Sequence, residues 1–219
     1  MIRKQAPSER EAFIRANTRA SAPPHVPEIT LHLADEAYEL WHHTQEELEE
    51  IGLPPPFWAF AWAGGQGLAR YVLDHPKTVR GKRVLDFATG SGLVAIAACK
   101  AGAAHVLAAD IDPFSAPACR LNMAENGVVF GFTDENLIGT EPEYEVLLAG
   151  DVFYDRELAS AIEPWFRTLA RRGVTVLVGD PGRAYLPRAN LERIATYSVS
   201  VTRALEDAEV KQTTVWRFL

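Results

Sequence analysis

Acidic and phenolic side chains follow an apolar run at "LLAGDVFYD", residues 147–155. The run ends at Gly150, Asp151 comes directly after it, and Tyr154 follows three residues later. A carboxylate at the end of a buried strand suits a cationic or amine substrate. A phenol can hydrogen-bond an amine or present its ring to a cation. We therefore predict Asp151 and Tyr154 as the catalytic pair. A structural alternative for Asp151 is the N-cap of a helix that begins near Arg156.

A glycine loop forms the second candidate element, in "VLDFATGSGLVAIAA", residues 84–98. Gly90 and Gly92 allow the backbone to approach a ligand closely. With Ala95, the loop also fits the dinucleotide pattern GxGxxG/A, and Asp110 follows Gly90 by about 20 residues. The loop alone therefore fits an enzyme that uses NAD as well as one that uses S-adenosylmethionine (SAM).

Asp86, four residues before Gly90, distinguishes the two cofactors. A pyrophosphate bound at this loop would face the Asp86 carboxylate, which is unfavourable in a partly dry cleft. SAM has no phosphate, and its methionyl ammonium would be attracted to Asp86. Asp110 would accept hydrogen bonds from the ribose hydroxyls. A cap of the loop or helix is the structural alternative for Asp86, but the balance favours SAM.

The composition limits the classes of partner. The chain has 219 residues with 47% hydrophobic and 23% charged residues, enough for one domain with its own core. Its net charge of −7 disfavours nucleic acid. Cys99 and Cys119 have no Cys or His spacing typical of a metal site, so no metal is expected. No apolar run reaches the ~18 residues of a membrane helix, and no signal peptide is evident, which favours a cytoplasmic protein.

Strand-like and helix-like runs alternate along most of the chain. The predicted strands are residues 83–88, 105–110, 128–132, 144–151 and 174–180. The predicted helices between them are residues 92–101, 114–125 and 156–170. Two final strands, 195–204 and 209–219, have no helix between them and must form a hairpin. We therefore predict an α/β fold with a seven-stranded sheet, in which five parallel strands are followed by an antiparallel hairpin and helices cover both faces. Ligands in such sheets bind beyond the C-terminal strand ends.

The segments "VLDFATGSG" and "VLAADIDPFSAPACRLNMAENGV", with the terminal hairpin, resemble the class I seven-stranded SAM-dependent methyltransferases over residues 57–219. This resemblance implies a methyltransferase domain at 57–219 and an N-terminal helical extension or lid at 1–56. Within the extension we expect helices at 8–20 and 35–52 and a strand at 28–34.

Two further stretches narrow the resemblance. "PPPFWAFAWAGGQGLARYVLDHP", before the first core strand, and "DVFYD", after the fourth, resemble the electron-transfer flavoprotein β-subunit lysine methyltransferases. These occur in mitochondria and in some bacteria. The short N-terminus without an Arg/Ser-rich leader favours the bacterial form.

The resemblance implies a cofactor-binding set that is spread over several loops. Its members are Trp62, Asp86, Ala88, Thr89, Gly90, Gly92, Asp110, Ile111, Thr133, Asp134 and Gly150. In this set Trp62 would line the SAM pocket, and the glycine loop would lie under the methionyl part. Thr133 and Asp134 would lie near the adenine, and Gly150 near the methyl donor.

The implied reaction is methyl transfer from SAM to lysine side chains of a protein, the β-subunit of electron-transfer flavoprotein, with S-adenosylhomocysteine (SAH) as product. Asp151 is assigned to recognition and alignment, because an anion favours the ammonium form and is a poor choice for removing its proton. A monomer is favoured. The open alternatives are methylation of a small nicotinamide-like amine or of a ribosomal protein, an NAD(P)-dependent oxidoreductase, and a non-catalytic adapter with a SAM-type fold.

Overall fold

The computed structural model describes residues 7–34, 55–141, 143–201 and 209–219. The predicted helix at 35–52, with much of the predicted extension at 1–56, lies outside these ranges. Within them the chain forms five α-helices and nine β-strands. None of the helices in these ranges is long and apolar enough to cross a membrane.

The helices and strands follow each other in the alternating order that the sequence predicts. The helices are α1 (Pro7–Asn17), α2 (Ala63–Asp74), α3 (Leu93–Lys100), α4 (Ser115–Asn126) and α5 (Arg156–Arg171). The first strands are β1 (Arg19–Ser21), β2 (Leu31–Leu33), β3 (Arg83–Phe87), β4 (His105–Ala109) and β5 (Gly131–Thr133). The later strands are β6 (Val146–Gly150), β7 (Thr175–Asp180), β8 (Leu191–Ser200) and β9 (Val210–Phe218).

Seven strands form one sheet in the order β5-β4-β3-β6-β7-β9-β8. Strands β3 to β7 pair in parallel. β9 lies between β7 and β8 and is antiparallel to both. This arrangement confirms the predicted sheet of five parallel strands with a terminal antiparallel hairpin. A separate antiparallel pair joins β1 to β2.

The alternation of side chains along the central strands divides the core into two layers. Val84 and Leu148 face the side that α2 and α3 cover. Leu85 and Leu147 face the opposite side, where they pack with Phe166 of α5. Because both faces are covered, the central strands are apolar almost without interruption. The C-terminal ends of β3, β4, β6 and β7 consequently lie on one edge of a rigid platform.

The structure differs from the sequence-based expectation in several boundaries. Helix α1 ends at Asn17, and the following residues form β1 instead of continuing the helix. The third predicted sheet strand, 128–132, is shifted to Gly131–Thr133. Helix α2 was not assigned from sequence, because its first five residues include three glycines, which have low helix propensity.

Candidate active site

A cavity of about 400 Å³ opens at the C-terminal edge of the sheet. Its walls come from the segment before α2, the glycine loop, and the loops that follow β4, β5, β6 and β7. This is the position at which open α/β sheets bind ligands, and the volume lies in the range of small-molecule sites. Most of the predicted site residues meet here.

The glycine loop connects β3 to α3 through left-handed backbone conformations. Gly90 has φ 51° and Gly92 has φ 83°, a region that favours glycine. Gly90 lines the cavity, as do Ala88 and Thr89. Gly92 lies behind the loop, where a Cβ would come within 3.0 Å of the Cys119 Sγ atom. The two glycines therefore act differently: one keeps the cavity floor open, and the other allows the loop to pack on α4.

Asp86, at the end of β3, is 1% exposed and holds the glycine loop in place. Its Oδ2 atom accepts hydrogen bonds from the Thr89 hydroxyl and from the Ala95 backbone amide. Burial raises the pKa of Asp86 to about 7, against the lowering effect of these two donors. The loop-capping role is thus observed. Asp86 also lines the cavity, and its contact with a methionyl ammonium stays a prediction.

Asp110 follows β4 directly and is tied to the glycine loop. Its Oδ2 accepts from the Gly90 amide at 2.7 Å, and its Oδ1 accepts from the Asp112 amide at 2.9 Å. Burial raises the pKa of Asp110, and these backbone hydrogen bonds lower it. A carboxylate has about four acceptor positions, so the geometry is compatible with ribose hydroxyl donors. Ile111, 73% exposed, lies at the cavity mouth.

In the loop after β5, the residues that line the cavity come slightly further along the sequence than predicted. Thr133 and Asp134 are not among the lining residues, whereas residues 135–138 are. Thr133 instead supports the loop: its carbonyl accepts from the Asp110 amide and its hydroxyl accepts from the Glu135 amide. The predicted position is thus near the cavity, but the side chains facing it are those that follow.

Asp151 lies at the tip of β6 with φ 58° and is 7% exposed. Its Oδ2 accepts from the Gly65 amide at 2.8 Å. Its Oδ1 accepts from Nη2 and Nε of Arg183, at 2.6 and 3.0 Å. It does not cap α5, because that N-cap is Asp155, whose side chain accepts from the Leu158 amide. The structural alternative for Asp151 is therefore wrong.

Glycines allow α2 to pack directly on the tips of β6 and β7. A Cβ on Gly64 would overlap with the carbonyl oxygen of Gly179 and come within 2.5 Å of Asp151 Oδ2. A Cβ on Gly150 would lie 2.8 Å from Gly65 Cα. This contact explains the pair of glycines in "WAGG". It brings the Gly65 amide to the Asp151 carboxylate.

Aromatic side chains line the same cavity as the Asp151 carboxylate. Tyr154 is 49% exposed, lines the cavity, and has its ring centroid 5.5 Å from that of Phe57. Burial and the nearby charges of Asp155 and Asp110 raise the pKa of Tyr154, so it remains a neutral hydrogen-bond donor at pH 7. Trp62 also lines the cavity and donates from Nε1 to the Phe57 carbonyl at 2.9 Å.

Trp58 also lines the cavity, but its side chain packs mainly in the core. It is 2% exposed and stacks on Phe114 at 5.6 Å. Arg183 is the side chain that sequence reasoning missed. Its position in a loop after β7, the strand next to β6, is the only sequence signal that could have indicated it.

The chemistry of the cavity fits SAM. A glycine loop leaves backbone within reach of a ligand, Asp86 and Asp110 supply carboxylates at two points of the wall, and Asp151 supplies a third beside an open aromatic rim. Across the described residues, no cluster of His, Cys, Asp or Glu could hold a metal ion.

Known proteins resemble this chain in fold and, over most of its length, in sequence. The family model for "Ribosomal protein L11 methyltransferase (PrmA)" matches residues 71–152. The magnesium protoporphyrin IX methyltransferase of Synechocystis PCC 6803, solved with bound SAM, has a TM-score of 0.51 at 14% identity over 71% of this chain and 78% of that one. A ribosomal protein L11 methylase from Lactobacillus delbrueckii has a TM-score of 0.51 at 21% identity over 73% and 81%.

Two relatives are similar to this chain over more than four fifths of their own length. The electron transfer flavoprotein beta subunit lysine methyltransferase of Xenopus laevis is 42% identical over 94% of this chain and 86% of its own. The human protein of the same name is 36% identical over 96% and 82%.

The sheet order, the glycine loop and the placement of the cavity define a class I methyltransferase. Identity above 30% over most of both chains narrows this class further. The chain belongs to the family of electron-transfer flavoprotein β-subunit lysine methyltransferases.

Proposed function

We propose that this protein transfers methyl groups from SAM to lysine side chains of the β-subunit of electron-transfer flavoprotein. The observation that carries the proposal is Asp151, a buried carboxylate fixed at the tip of β6 on the wall of a SAM-sized cavity. Membership of a family whose relatives carry this activity in their names supports the substrate.

SAM, when bound, supplies a methyl group on a positively charged sulfur, and the lone pair of an amine nitrogen displaces that sulfur. The protein's residues supply position and exclude water. Asp86 and the glycine loop would hold the methionyl part, and Asp110 the ribose. Asp151 would align the lysine nitrogen beside Tyr154, and Trp62 would line the SAM pocket.

The lysine must be a neutral amine when it attacks the methyl group. Its ordinary pKa near 10.4 makes deprotonation at pH 7 cost about 4–5 kcal/mol. Alignment of two bound reactants can contribute roughly 7–11 kcal/mol, so positioning is enough to offset this cost. No general base is required if water accepts the proton, and the fixed geometry of Asp151 suits alignment.

A ribosomal protein remains the second candidate substrate, because the matching ribosomal protein L11 family model covers residues 71–152. That region contains Asp86, the glycine loop and Asp110, which are proposed to hold the cofactor. Of the residues proposed to meet the lysine, it contains Asp151 but not Tyr154. It therefore supports the shared cofactor chemistry more than the substrate. The bacterial cytoplasm and a monomeric state stay predictions, as does the division at residue 57.

The first test is methyl transfer from labelled SAM to the purified flavoprotein heterodimer, to its isolated β-subunit and to ribosomal protein L11. We expect label on lysines of the β-subunit, mapped by mass spectrometry. Label on the ribosomal protein alone would discard the flavoprotein substrate, and label confined to small amines would discard a protein substrate. Thermal shifts with SAH and NADH separate methyl transfer from the oxidoreductase alternative.

Substitution Asp151→Asn tests the carboxylate in "DVFYD". We expect methyl transfer to fall by about 100-fold or more, as when a group that acts in the transition state is removed. SAH binding, measured by calorimetry, should change little. The matched control is Asp155→Asn in the same stretch, where asparagine serves equally well as an N-cap. Near-normal turnover in Asp151→Asn would remove Asp151 from the mechanism.

A further inference from the structure

Arg183 places a cation on the very carboxylate that is proposed to meet the substrate lysine. Its guanidinium donates twice to Asp151 Oδ1, at 2.6 and 3.0 Å. The side chains are 21% and 9% exposed, so the pair is shielded from most of the solvent. An ion pair in this environment interacts more strongly than one on the surface.

The loop after β7 is built to hold Arg183 there. Asp180 Oδ1 accepts from the backbone amides of Gly182 and Arg183, at 2.6 and 2.8 Å. This turn directs Arg183 across to the neighbouring strand tip. The guanidinium carbon then lies 5.7 Å from the centroid of the Trp62 ring, which is a cation–π distance. Three separate contacts therefore fix the cation against Asp151.

A lone carboxylate would hinder the reaction that it is meant to align. An anion beside a lysine stabilises the ammonium form, which has no lone pair and cannot accept a methyl group. A fixed guanidinium on the same carboxylate opposes this effect, because it cancels most of the negative charge that the amine experiences. The amine can still be aligned by hydrogen bonds.

We propose that Arg183 is a positioning residue that neutralises Asp151, so that the substrate lysine is aligned in the site as a neutral amine. This inference rests on the proposed function. The inference adds Arg183, which lies outside "DVFYD", to the residues that act on the substrate lysine. Its effect is to reduce the negative charge near the amine.

Other charged and titratable groups face the same region. Among the described residues, Tyr154 lines the cavity from the loop after β6, and Asp180 at the end of β7 holds the Arg183 turn. The other acidic groups that line the cavity come from β3, from the loop after β4 and from the loop after β5: Asp86, Asp110, Asp112 and Glu135. The part of α2 that packs on Asp151 contributes glycine backbone without charge. In their ionised forms these acids add to the negative potential of Asp151, so removal of Arg183 would leave a field that favours the ammonium.

The test is the pH dependence of kcat and kcat/KM on the flavoprotein substrate, from about pH 6 to about pH 11, a range that includes the ordinary lysine pKa. The variants are Arg183→Gln, which removes the charge, and Arg183→Lys, which keeps it. Arg167→Gln is the matched control, since Arg167 forms an ion pair with Glu163 along α5.

We expect the rising limb of kcat in Arg183→Gln to lie about one pH unit higher, which lowers kcat about tenfold at pH 7. The high-pH plateau should recover. The limb of kcat/KM should stay in place, because it reports the free substrate and free enzyme. Arg183→Lys and Arg167→Gln should keep the wild-type limb of kcat.

A fall in kcat by the same factor at every pH, with the limb unmoved, would overturn the inference and leave Arg183 a merely structural residue. SAH binding by calorimetry shows whether the variant is folded. If Arg183→Gln does not bind SAH, Arg183→Met replaces it, since it keeps an apolar stem against Trp62 and removes the charge. Failure of the wild type to label the β-subunit would instead count against the proposed function.

Discussion

At the scale of single residues, Asp86 holds the glycine loop in place and also lines the cavity. Because burial raises its pKa from an ordinary 3.8 to about 7, the folded protein binds a proton there that the unfolded chain has already released. Between about pH 4 and about pH 7 the folded state therefore holds more protons than the unfolded state. The contribution of this group to stability falls as pH rises through that window.

The expected result is that Asp86→Asn loses this dependence. The difference in unfolding free energy between wild type and variant should shift in favour of the variant by a few kcal/mol from about pH 4 to about pH 7. Chemical denaturation of the ligand-free protein at several pH values measures it. The difference profile isolates Asp86 from Asp112, whose pKa burial also raises to about 7. A flat difference would show that Asp86 is ionised throughout.

The same variant decides the binding role of Asp86. If its carboxylate meets the methionyl ammonium, the affinity for SAH should rise as pH increases through about 7 in the wild type, because only the ionised form attracts a cation. Asp86→Asn should bind more weakly and show no such rise. Calorimetry over this pH range gives the answer, and equal profiles would restrict Asp86 to capping the loop.

Most of the cavity-lining residues that could be predicted from sequence lie at the end of a strand. Asp86, Asp110 and Asp151 each follow an apolar run, so sheet geometry alone brings them together. Arg183 was not predictable, because its partner Asp151 lies at the tip of a neighbouring strand. Nothing in "PGRAYLPR" indicates a contact with that residue. Thr133 and Asp134 are predicted near the adenine, but the cavity is lined by residues 135–138 of the same loop. The loop conformation, which the sequence does not specify, decides which of its side chains face inward.

At the scale of elements, the contact between α2 and the strand tips has no spare space. Gly64→Ala would press a methyl group against the Gly179 carbonyl, which is backbone and cannot move aside. We expect a loss of about 1–3 kcal/mol or more, measured by denaturant unfolding, together with weaker activity because Asp151 lies at the same contact.

Gly65→Ala is the control for this prediction. A Cβ there meets only Leu93 Cδ2 at 3.8 Å, an ordinary contact. Alanine is also the better helix former, so stability should be unchanged or higher by up to about 1 kcal/mol. A loss for Gly65→Ala as large as that for Gly64→Ala would show that the close approach of Gly64 to the Gly179 carbonyl is not the cause of the destabilisation.

Elements with a clear hydrophobic period were predictable from sequence, and those shaped by tertiary contacts were not. Strands β3, β4, β6 and β7 agree with the predicted runs to within two residues at either end. Helix α2 was missed because the glycines that lower its local propensity are required by its packing on β6 and β7. In that case the tertiary contact overrides the local signal.

At the scale of the whole molecule, β9 is an interior strand of the sheet, although it follows all the other strands along the chain. It pairs with β7 on one side and β8 on the other, and Val215 is fully buried. We expect the amides of residues 213–216 to exchange with solvent as slowly as those of β3 and β6, because they open only with the sheet. Hydrogen exchange by mass spectrometry or NMR measures this.

β8 provides the comparison, since in the described part of the chain it is the last strand of the sheet order. The amides of β8 that point away from β9 should exchange at least about tenfold faster. Fast exchange along β9 itself would show that the terminal hairpin opens independently of the parallel strands.

The central place of β9 has a consequence for synthesis on the ribosome. A nascent chain that has delivered every residue up to Asp180 has made the parallel strands, yet one edge of β7 still lacks its neighbour. Such an edge readily recruits strands from other chains. Residues 210–218 must emerge before that edge is covered and before Thr214 pairs with Asp180 beside the Arg183 turn. Catalytic competence is therefore acquired only after β9 has been synthesised, and a pause just before β9 would prolong the exposure of this edge to other chains.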